Sequence, residues 1–505
     1  MTNEPALNGV DQVSADAEMP EGWAAATLED IGELYCGQSP ATQFVNTNRV
    51  GTPYITGPDQ WDGNDLHVDK WTSDPRRIVP DGCVFVTVKG AGVGTIFPGV
   101  PGAIGRDIYA FSPAVDVHHS FVRRALEFTV SEIKRNAAGD IPGLSKDHLL
   151  KHYINIPPYE EQKRIVAAID NLFVVSKSAR DRLSRVPLIL KRFRQAVLAA
   201  ARSGKLTEDW RERNSALSNT VADFVAGLVP GASSDCVPSE DDQMELFDIP
   251  SRWVWARCEH LCDPERAITY GVIKLGHHVK DGIPILRSSN VRWLRIDEEN
   301  VKCISRQIAS DYERTFLKGG EILVTVRGTL GGVAVVPSHL AGYNISREVA
   351  VLPINNSLRP DFICYAIAAN WSQMWLSQVS KGVAYTGVNI RDLKRLPVPV
   401  PPTTEQEEIV RRVKALFELA ERIDQQASAA TLKVGRLTQS ILAKAFRGEL
   451  VPTEAELARR ESRDYEPASV LLERIRKNRE SQAIVKTRQA RGAIPRGGKR
   501  GTVPV

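Results

Sequence analysis

Residues 156–173 read IPPYEEQKRIVAAIDNLF, and residues 400–417 read VPPTTEQEEIVRRVKALF. The two stretches share a pair of prolines, then Glu and Gln, and then apolar residues at helical spacing. Prolines lie close to helix starts, and acidic residues in a first turn favour the helix dipole. We therefore expect each stretch to be a hinge from an extended chain into a long helix. The hinge residues are Pro157, Pro158, Glu161 and Gln162 in the first copy, and Pro401, Pro402, Glu405 and Gln406 in the second.

The repeat extends in both directions from this hinge. Downstream, QAVLAAARSGKL (195–206) matches QSILAKAFRGEL (439–450) at the offset that separates the hinges, which implies a rigid element of fixed length. Upstream, four looser matches pair PEGW (20–23) with PSRW (250–253), DGCVFVTVKG (81–90) with GGEILVTVRG (319–328), IGRDIYAF (104–111) with ISREVAVL (345–352), and GLSKDHLLKHYINIPP (143–158) with GVNIRDLKRLPVPVPP (387–402). The sequence thus predicts a variable domain and a rigid element, each occurring twice.

After each hinge, apolar residues recur at heptad positions over about five heptads. Two matching seams favour an antiparallel coiled coil between the helices, which would act as a spacer. Pro187 should kink the first helix or split it in two. The alternative is that each helix packs only on its own domain. The seam residues are Ile165, Ile169, Leu172, Leu183, Leu190, Phe193 and Val197, then Ile409, Val413, Leu416, Ile423, Val434, Leu437 and Ile441.

The predicted fold class is α+β, with two mixed α/β-sheet domains separated by two long antiparallel coiled-coil helices in a pseudo-two-fold internal repeat. The runs CVFVTVKG and EILVTVRG are typical of strands, and FICYAIAANWSQMWLSQV is typical of a helix. The predicted boundaries are 20–157 for the first domain, 158–213 for the first helical region, 214–248 for a linker, 249–401 for the second domain, 402–455 for the second helical region and 456–505 for a basic, mobile tail.

Composition limits the function classes. A chain of 505 residues is too long for a single core, and its net charge of +4 is too small to identify a nucleic-acid binder without local clusters. The seven cysteines are odd in number and scattered, and the first residues resemble no signal peptide, so we expect a reduced, cytoplasmic protein. No apolar run approaches the length of a membrane span, which excludes membrane insertion.

The motif search finds no convincing catalytic site. NIPPY (155–159) resembles the Asn-Pro-Pro-Tyr signature of DNA amino-methyltransferases, but Ile156 interrupts it. The second copy has Pro399 and Thr403 where the first has Asn155 and Tyr159, so only the hinge residues recur. GAGVG (90–94) lacks the context of a cofactor loop, and Cys258 and Cys262 lack a second ligand pair for zinc. We predict no catalytic residue and no metal site.

Lys89 and Arg327 end the matched β-rich runs, each just before a glycine-rich turn. A cation at the tip of a hairpin is well placed to reach base edges or phosphates, although a single turn cation is equally often only solvated. Its recurrence in both copies favours a DNA contact. The full set of candidate DNA-binding residues is Lys89, Arg106, Lys146, Arg287, Arg327, Arg347, Tyr385, Thr386, Asn389 and Arg391.

The duplicated Pro-Pro-x-x-Glu-Gln hinge, the VTVRGTLGGVAVV hairpin and the GVAYTGVNIRDLKRLPVPVPP lead-in resemble the specificity (S) subunit of type I restriction-modification enzymes over about residues 20–452. The resemblance implies that each domain is a target-recognition domain for one half of a bipartite double-stranded DNA site. It implies that the helices dock two methyltransferase (M) subunits. It leaves open whether two restriction (R) subunits join the complex. S-adenosylmethionine, ATP and Mg would then be bound by the partner subunits, with no cofactor on this chain.

Two other classes stay open from the sequence. The first is a stand-alone DNA amino-methyltransferase, against which the interrupted NIPPY and the missing cofactor loop count. The second is a scaffold whose coiled coil joins two domains that do not bind DNA. The basic tail, which contains RGGKRG (496–501) near its end, is expected to make a non-specific phosphate contact.

Overall fold

The computed structural model describes residues 19–63, 65–90, 92–136, 143–214, 246–380 and 387–492. The chain divides into two compact units. The first unit consists of Met1–Arg182 and Ala430–Val505, and the second consists of Leu183–Ala429. Each unit therefore contains one predicted domain together with part of each helical region.

The elements that precede Pro187 in the chain are β1 (Ala24–Thr27), α1 (Leu28–Ile31), β2 (Gly32–Cys36), β3 (Val45–Asn46), β4 (Thr52–Ile55), β5 (Trp71–Thr72), β6 (Ile78–Val79), β7 (Val84–Thr87), β8 (Ile96–Pro98), β9 (Gly102–Ile104), β10 (Ile108–Pro113), α2 (His119–Asn136), α3 (Lys146–Leu150), β11 (Tyr153–Ile156) and α4 (Tyr159–Ser184). Those that follow are α5 (Val186–Arg202), α6 (Glu208–Arg213), β12 (Val254–Arg257), β13 (Thr269–Tyr270), β14 (Ile283–Leu286), β15 (Val291–Arg292), β16 (Arg295–Ile296), β17 (Lys302–Ile304), α7 (Arg306–Ser310), β18 (Ile322–Thr325), β19 (Val333–Val335), β20 (Asn344–Ile345), β21 (Val349–Leu352), α8 (Pro360–Ala368), α9 (Asn370–Ser380), α10 (Ile390–Arg395), β22 (Pro397–Val400), α11 (Thr403–Phe446), α12 (Glu454–Glu461) and α13 (Ala468–Gly492).

The main sheet of the first unit is an antiparallel layer with the strand order β2-β10-β7-β8. A second sheet has the order β3-β5-β4-β9-β6, in which β4 and β9 are parallel. All four residues of β7 are buried, which is typical of a strand covered on both faces. Helix α2 packs on this layer through residues such as Phe121, Val122 and Leu126, and the first turns of α4 and the last turns of α11 join the same core.

The second unit repeats this topology. A sheet of order β13-β21-β18-β19 corresponds to β2-β10-β7-β8, and the parallel pair β14-β20 corresponds to β4-β9. In each unit, an entry strand pairs with the strand that leads into the hinge, β1 with β11 and β12 with β22. Two mixed helix-and-sheet domains are therefore present, as the internal repeat predicted, and their main sheets share one strand order, whereas the second sheets have five and three strands.

Pro187 has the effect expected of it. Helix α4 ends at Ser184, and α5 begins at Val186 with Pro187 in its first turn. Proline has no backbone N–H and its ring obstructs the preceding turn, so a helix starts more readily at this position than it passes through it. By contrast, α11 runs unbroken through 44 residues. The first copy of the helical element is thus split, whereas the second is continuous.

Burial supports the predicted seam only in part. Leu172, Ile423 and Leu437 are 39%, 40% and 50% exposed, so the heptad assignment does not hold at these three positions. In each case the next residue along the chain is half-buried instead. The reason is that a straight helix turns every ~3.6 residues, and a heptad pattern drifts from it by roughly 20° per repeat. The buried seam residues are Ile165, Ile169, Leu190, Val197, Ile409 and Val413, and the half-buried ones are Leu183, Phe193, Leu416, Val434 and Ile441.

The segment expected to be a mobile tail from residue 456 instead contains ordered, packed structure at its start. In α13, Ala468, Leu471 and Ile475 are buried in the core of the first unit. The Ala468 N–H donates to the Gly22 carbonyl oxygen at 2.8 Å, and Arg474 lies 3.2 Å from Asp116. These buried residues follow an i, i+3, i+7 pattern that the many cations of the segment hid from the sequence interpretation.

Some predictions concern residues outside the described ranges. Tyr385, Thr386, most of the 214–248 linker and residues 493–505 belong to this group. None of the helices in the described ranges combines the length and the apolarity that a bilayer span requires.

Candidate nucleic-acid interface

In the second domain, the predicted cations lie at one edge of the main sheet, where β18 ends and β21 begins. Strand β18 continues into Val326, whose N–H donates to the Glu348 carbonyl oxygen at 2.8 Å. The Val326 carbonyl oxygen in turn accepts the Val388 N–H at 2.8 Å. Arg327, Arg347 and Asn389 are the immediate chain neighbours of these three residues, so the backbone hydrogen bonds bring them to the same edge.

Arg287 reaches the same edge from strand β14. The Ser346 N–H donates to the Leu286 carbonyl oxygen at 2.9 Å, and the Ser288 hydroxyl donates to the Glu348 carboxylate at 2.7 Å. Arg287 is half-buried, and its Nε atom has no hydrogen-bond partner although it is buried. Glu348 accepts this hydroxyl, and among the described residues it forms no ion pair with Arg287, Arg327 or Arg347.

Gly328 lies directly after Arg327, and its φ angle of +74° falls in the left-handed region. A Cβ atom there would also lie 2.9 Å from the Ser288 hydroxyl. Glycine is the residue that adopts this conformation without strain. The glycine after the cation therefore turns the chain sharply and leaves Arg327 exposed at the tip.

The first domain has the same backbone frame. The Val88 N–H donates to the Asp107 carbonyl oxygen at 2.8 Å, and the Val88 carbonyl oxygen accepts the Leu144 N–H at 2.9 Å. The predicted residues Lys89 and Arg106 adjoin Val88 and Asp107, and Lys146 lies two residues after Leu144. The structure therefore brings together the candidates of each domain separately: Lys89, Arg106 and Lys146 in the first, and Arg287, Arg327, Arg347, Asn389 and Arg391 in the second.

Most of these cations are available for an external anion. Within the described ranges, the exposed side chains of Lys89, Lys146, Arg327, Arg347 and Arg391 form no hydrogen bond or ion pair. Arg106 lies 3.9 Å from Asp107, a long and exposed contact. Asn389 has a different role, because its side chain caps α10 by accepting the Arg391 N–H at 3.2 Å. Cation clusters of this kind suit phosphate oxygens or guanine edges.

The hinge residues form a second arrangement that occurs in both copies. The Gln162 amide donates to the Pro157 carbonyl oxygen at 3.0 Å and accepts the His118 N–H at 2.9 Å. In the other copy, Gln406 donates to Pro401 at 2.9 Å and accepts the Arg359 N–H at 2.9 Å. Each glutamine thus fixes the start of its helix to the domain that precedes it.

The hinge carboxylates are buried and bind a tryptophan. The Trp23 indole donates to Glu161 at 2.8 Å, and the Trp253 indole donates to Glu405 at 2.9 Å. The Glu454 N–H donates to the other oxygen of Glu161 at 2.8 Å. Burial raises the pKa of Glu161 despite these hydrogen bonds. Both glutamates join the entry of a domain to the start of its helix.

The structure places the residues of the NIPPY stretch on the two sides of the first hinge. Asn155 is a strand residue paired with Ala25, and Tyr159 is the first residue of α4, with the Lys163 ammonium 5.2 Å from its ring centre. Pro157 and Pro158 are buried. Asn155 is thus held in the sheet and Tyr159 in the first turn of the helix, on the two sides of the proline pair.

Cys258 and Cys262, the two cysteines tested above as zinc ligands, are buried thiols. Burial raises the pKa of Cys262 to about 12, and it also raises that of Cys258, so both are thiols rather than thiolates. Within the described ranges, no cluster of three or more metal-ligating side chains occurs.

One feature of this edge was missed from the sequence. Gly37 and Gly271 each begin a loop beside Arg106 or Arg347, and both glycines are packed against a carbonyl oxygen. Their flanking residues, YCGQ and TYGV, share little beyond the glycine. A single matched glycine in segments of unlike length is too weak a signal to align.

Comparisons with known proteins agree with this architecture. The family model described as the type I restriction modification DNA specificity domain matches residues 20–183 and 279–429. The EcoBI specificity subunit of Escherichia coli is 31% identical over 434 residues, which cover 85% of this chain and 86% of that protein. The EcoDI specificity subunit of Escherichia coli is 27% identical, with 86% and 90% covered.

A solved structure has the same fold. The HsdS subunit from Thermoanaerobacter tengcongensis superposes with a TM-score of 0.55 at 18% identity, covering 87% of this chain and 100% of that one. A chain from a study of complex assembly in a type I R-M system gives 0.59 at 18% identity, with 86% and 99% covered. With the two matched regions and the identity to the relatives, this chain belongs to the family of type I restriction-modification specificity subunits, the non-catalytic DNA-recognition subunits of those systems.

Proposed function

We propose that this chain recognises a bipartite double-stranded DNA site, with one half contacted by residues 20–157 and the other by residues 249–401. The observation that supports it most is the duplicated sheet edge. The same pair of backbone hydrogen bonds, at Val88 and at Val326, presents Lys89 in one copy and Arg327 in the other. A shared frame with unlike side chains suits two half-sites of different sequence.

The candidate residues divide by chemistry. Arginine can bind guanine O6 and N7 with two parallel donors, which favours Arg327, Arg347 and Arg391 for base contacts. Lysine is a point charge, so Lys89 and Lys146 suit phosphate or guanine equally. Asn389 acts in this proposal through the start of α10 rather than through a base, because its side chain is the helix cap.

The helices are proposed to form an antiparallel spacer with a coiled-coil seam. In the first unit, the start of α4 and the end of α11 share one core, through Ile165 and Leu442. In the second unit, the end of α5 and the start of α11 share another, through Val197 and Ile409. Arg194 of α5 also lies 3.4 Å from Glu421 of α11. Opposite ends sharing a core is what antiparallel pairing requires.

The same helices are proposed to dock two methyltransferase subunits, with two restriction subunits in a system that also cleaves. Support comes from large apolar side chains on these helices that stay exposed in the structure and that a bound partner would cover. Val174, Val175, Ile189 and Leu432 are 69%, 66%, 58% and 67% exposed. S-adenosylmethionine, ATP and Mg would be bound by those partners. Because the proposed substrate is DNA, we place the assembly in the cytoplasm.

The direct test is methylation of a DNA library with two randomised halves and variable gaps. The chain is assembled with the methyltransferase subunits, and modified molecules are sequenced. We expect two short specified halves separated by a gap of one length, and no methylation by the chain alone. A single uninterrupted motif, or methylation without partner subunits, would contradict the proposal.

A further inference from the structure

Each domain carries a loop that starts at a closely packed glycine beside the DNA-binding edge. An added Cβ atom would lie 1.9 Å from the Gly105 carbonyl oxygen at Gly37, and 1.8 Å from the Ile345 carbonyl oxygen at Gly271. Real Cβ atoms do not approach backbone so closely. The chain must therefore pass this point as glycine in both copies, which fixes where each loop begins.

Matching hydrogen bonds hold the two loops to the edge. The Gln38 N–H donates to the Ile104 carbonyl oxygen at 3.0 Å, and the Val272 N–H donates to the Ile345 carbonyl oxygen at 2.8 Å. Next to them, the Arg106 N–H donates to the Ser39 hydroxyl at 3.2 Å, and the Arg347 N–H donates to the Val272 carbonyl oxygen at 2.9 Å. We call residues 37–48, which include the short strand β3, the first loop, and residues 271–282 the second loop.

The two loops differ in chemistry although they are anchored alike. The first loop, GQSPATQFVNTN, has no charged residue, and it exposes the amides of Gln38 and Gln43. The second loop, GVIKLGHHVKDG, exposes Lys274 and Lys280. In the described ranges, none of these four side chains has a hydrogen-bond partner. By contrast, Asn46 serves the fold of its own loop, because its amide donates to the Val50 carbonyl oxygen at 2.9 Å.

Amides and ammonium groups read different bases. A glutamine amide can donate to adenine N7 and accept from adenine N6, whereas a lysine ammonium can only donate, which suits guanine O6 and N7. We propose that the first loop determines an adenine in one half-site through Gln38 or Gln43, and that the second loop determines a guanine in the other half-site through Lys274 or Lys280. This inference rests on the proposed function, because it assigns bases within the two halves.

The experiment uses the assembled complex and the library of randomised halves. One variant carries Gln38→Ala and Gln43→Ala, and another carries Lys274→Gln and Lys280→Gln. The first should lower the preference for adenine at one position of one half by about 5- to 150-fold, the range expected for one bidentate contact. The second should replace guanine by adenine at one position of the other half. In each case the half read by the unaltered domain reports that the complex is folded and assembled.

Lys318→Gln is the matched control, because Lys318 is exposed and precedes β18 at the end opposite Arg327. It should change no base preference. Unchanged preferences in an active loop variant would overturn the inference, and so would an equal loss for all sequences, since that indicates phosphate contacts. A wild-type half-site without the assigned base would also overturn it. Failure of the proposed function looks different, because the wild-type complex would then show no bipartite motif.

Discussion

At the residue scale, the hinge carboxylates are the most informative side chains. Glu161 and Glu405 each accept an indole N–H from the tryptophan that precedes the first strand of their domain. The second oxygen differs in its partners, with the Glu454 N–H in one copy and the Thr207 hydroxyl at 2.7 Å in the other. The repeated Glu-Gln pair thus acts as a buried joint, and its recurrence reflects geometry rather than catalysis.

Replacing Glu161 with Gln should destabilise the first unit by about 1–3 kcal/mol, because an amide cannot accept hydrogen bonds with both terminal atoms. Either the Trp23 indole or the Glu454 N–H then faces another donor. Urea unfolding measures the change in the free energy of unfolding, and hydrogen exchange of residues 20–27 and 153–162 shows where it occurs.

Glu160→Gln is the control for this substitution, because Glu160 is exposed and its ion pair with Lys163 lies at the surface. It should alter the free energy of unfolding by no more than about 0.5 kcal/mol. Equal effects of the two substitutions would mean that the buried joint contributes nothing specific.

A matched pair of positions shows how the two copies diverge. The Arg202 guanidinium lies 4.0 Å from the Trp371 ring centre, its pKa is lowered to about 9 by burial, and it donates to the Pro397 carbonyl oxygen at 3.1 Å. The aligned residue in the other copy is Phe446, whose ring centre lies 5.4 Å from that of Phe121. Each side chain fills the space between its helix and its domain.

At the element scale, the C-terminal helix α13 belongs to the core of the first unit. Replacing the buried Leu471 with Ala should therefore cost about 2–5 kcal/mol in the free energy of unfolding. Val470→Ala is the neighbouring control, because Val470 is 49% exposed, and it should cost well under 1 kcal/mol. Thermal unfolding of both variants distinguishes them, and a Leu471→Ala variant as stable as the control would place α13 outside the core.

The sequence allowed the hinge, the matched hairpins and the break at Pro187 to be predicted, because each depends on local chemistry or occurs twice. The packing of α13 was missed because three apolar residues lie among many cations. The anchoring of the loops at Gly37 and Gly271 was missed because it depends on carbonyl groups distant in the chain. The positions of Leu172 and Leu437 failed because an ideal heptad does not follow a straight helix.

At the scale of the whole molecule, the proposed spacer makes a quantitative prediction. One heptad added to each helical region lengthens an antiparallel rod by roughly 10 Å, at 1.5 Å per residue. The gap between half-sites should then grow by up to about three base pairs, at 3.4 Å each, with the specified bases unchanged. The accompanying rotation, roughly a third of a duplex turn, must be absorbed by hinges or by DNA twist, which can reduce affinity.

Sequencing of sites methylated by the extended chain with its partner subunits gives the gap directly. The control is a chain with the heptad added to α11 alone, which cannot keep the two helices in register. An active complex with heptads in both regions and an unchanged gap would mean that the helices do not set the separation.

The central claim is that each domain reads its own half-site, and two single substitutions test it most directly. The base preferences of the assembled complex are measured on the randomised library with Arg327→Ala and, separately, with Lys89→Ala. Arg327→Ala should relax or weaken readout by about 1–3 kcal/mol in only one half, and Lys89→Ala should do the same in only the other. Changes in both halves from either substitution, or changes in the same half from both, would contradict the account.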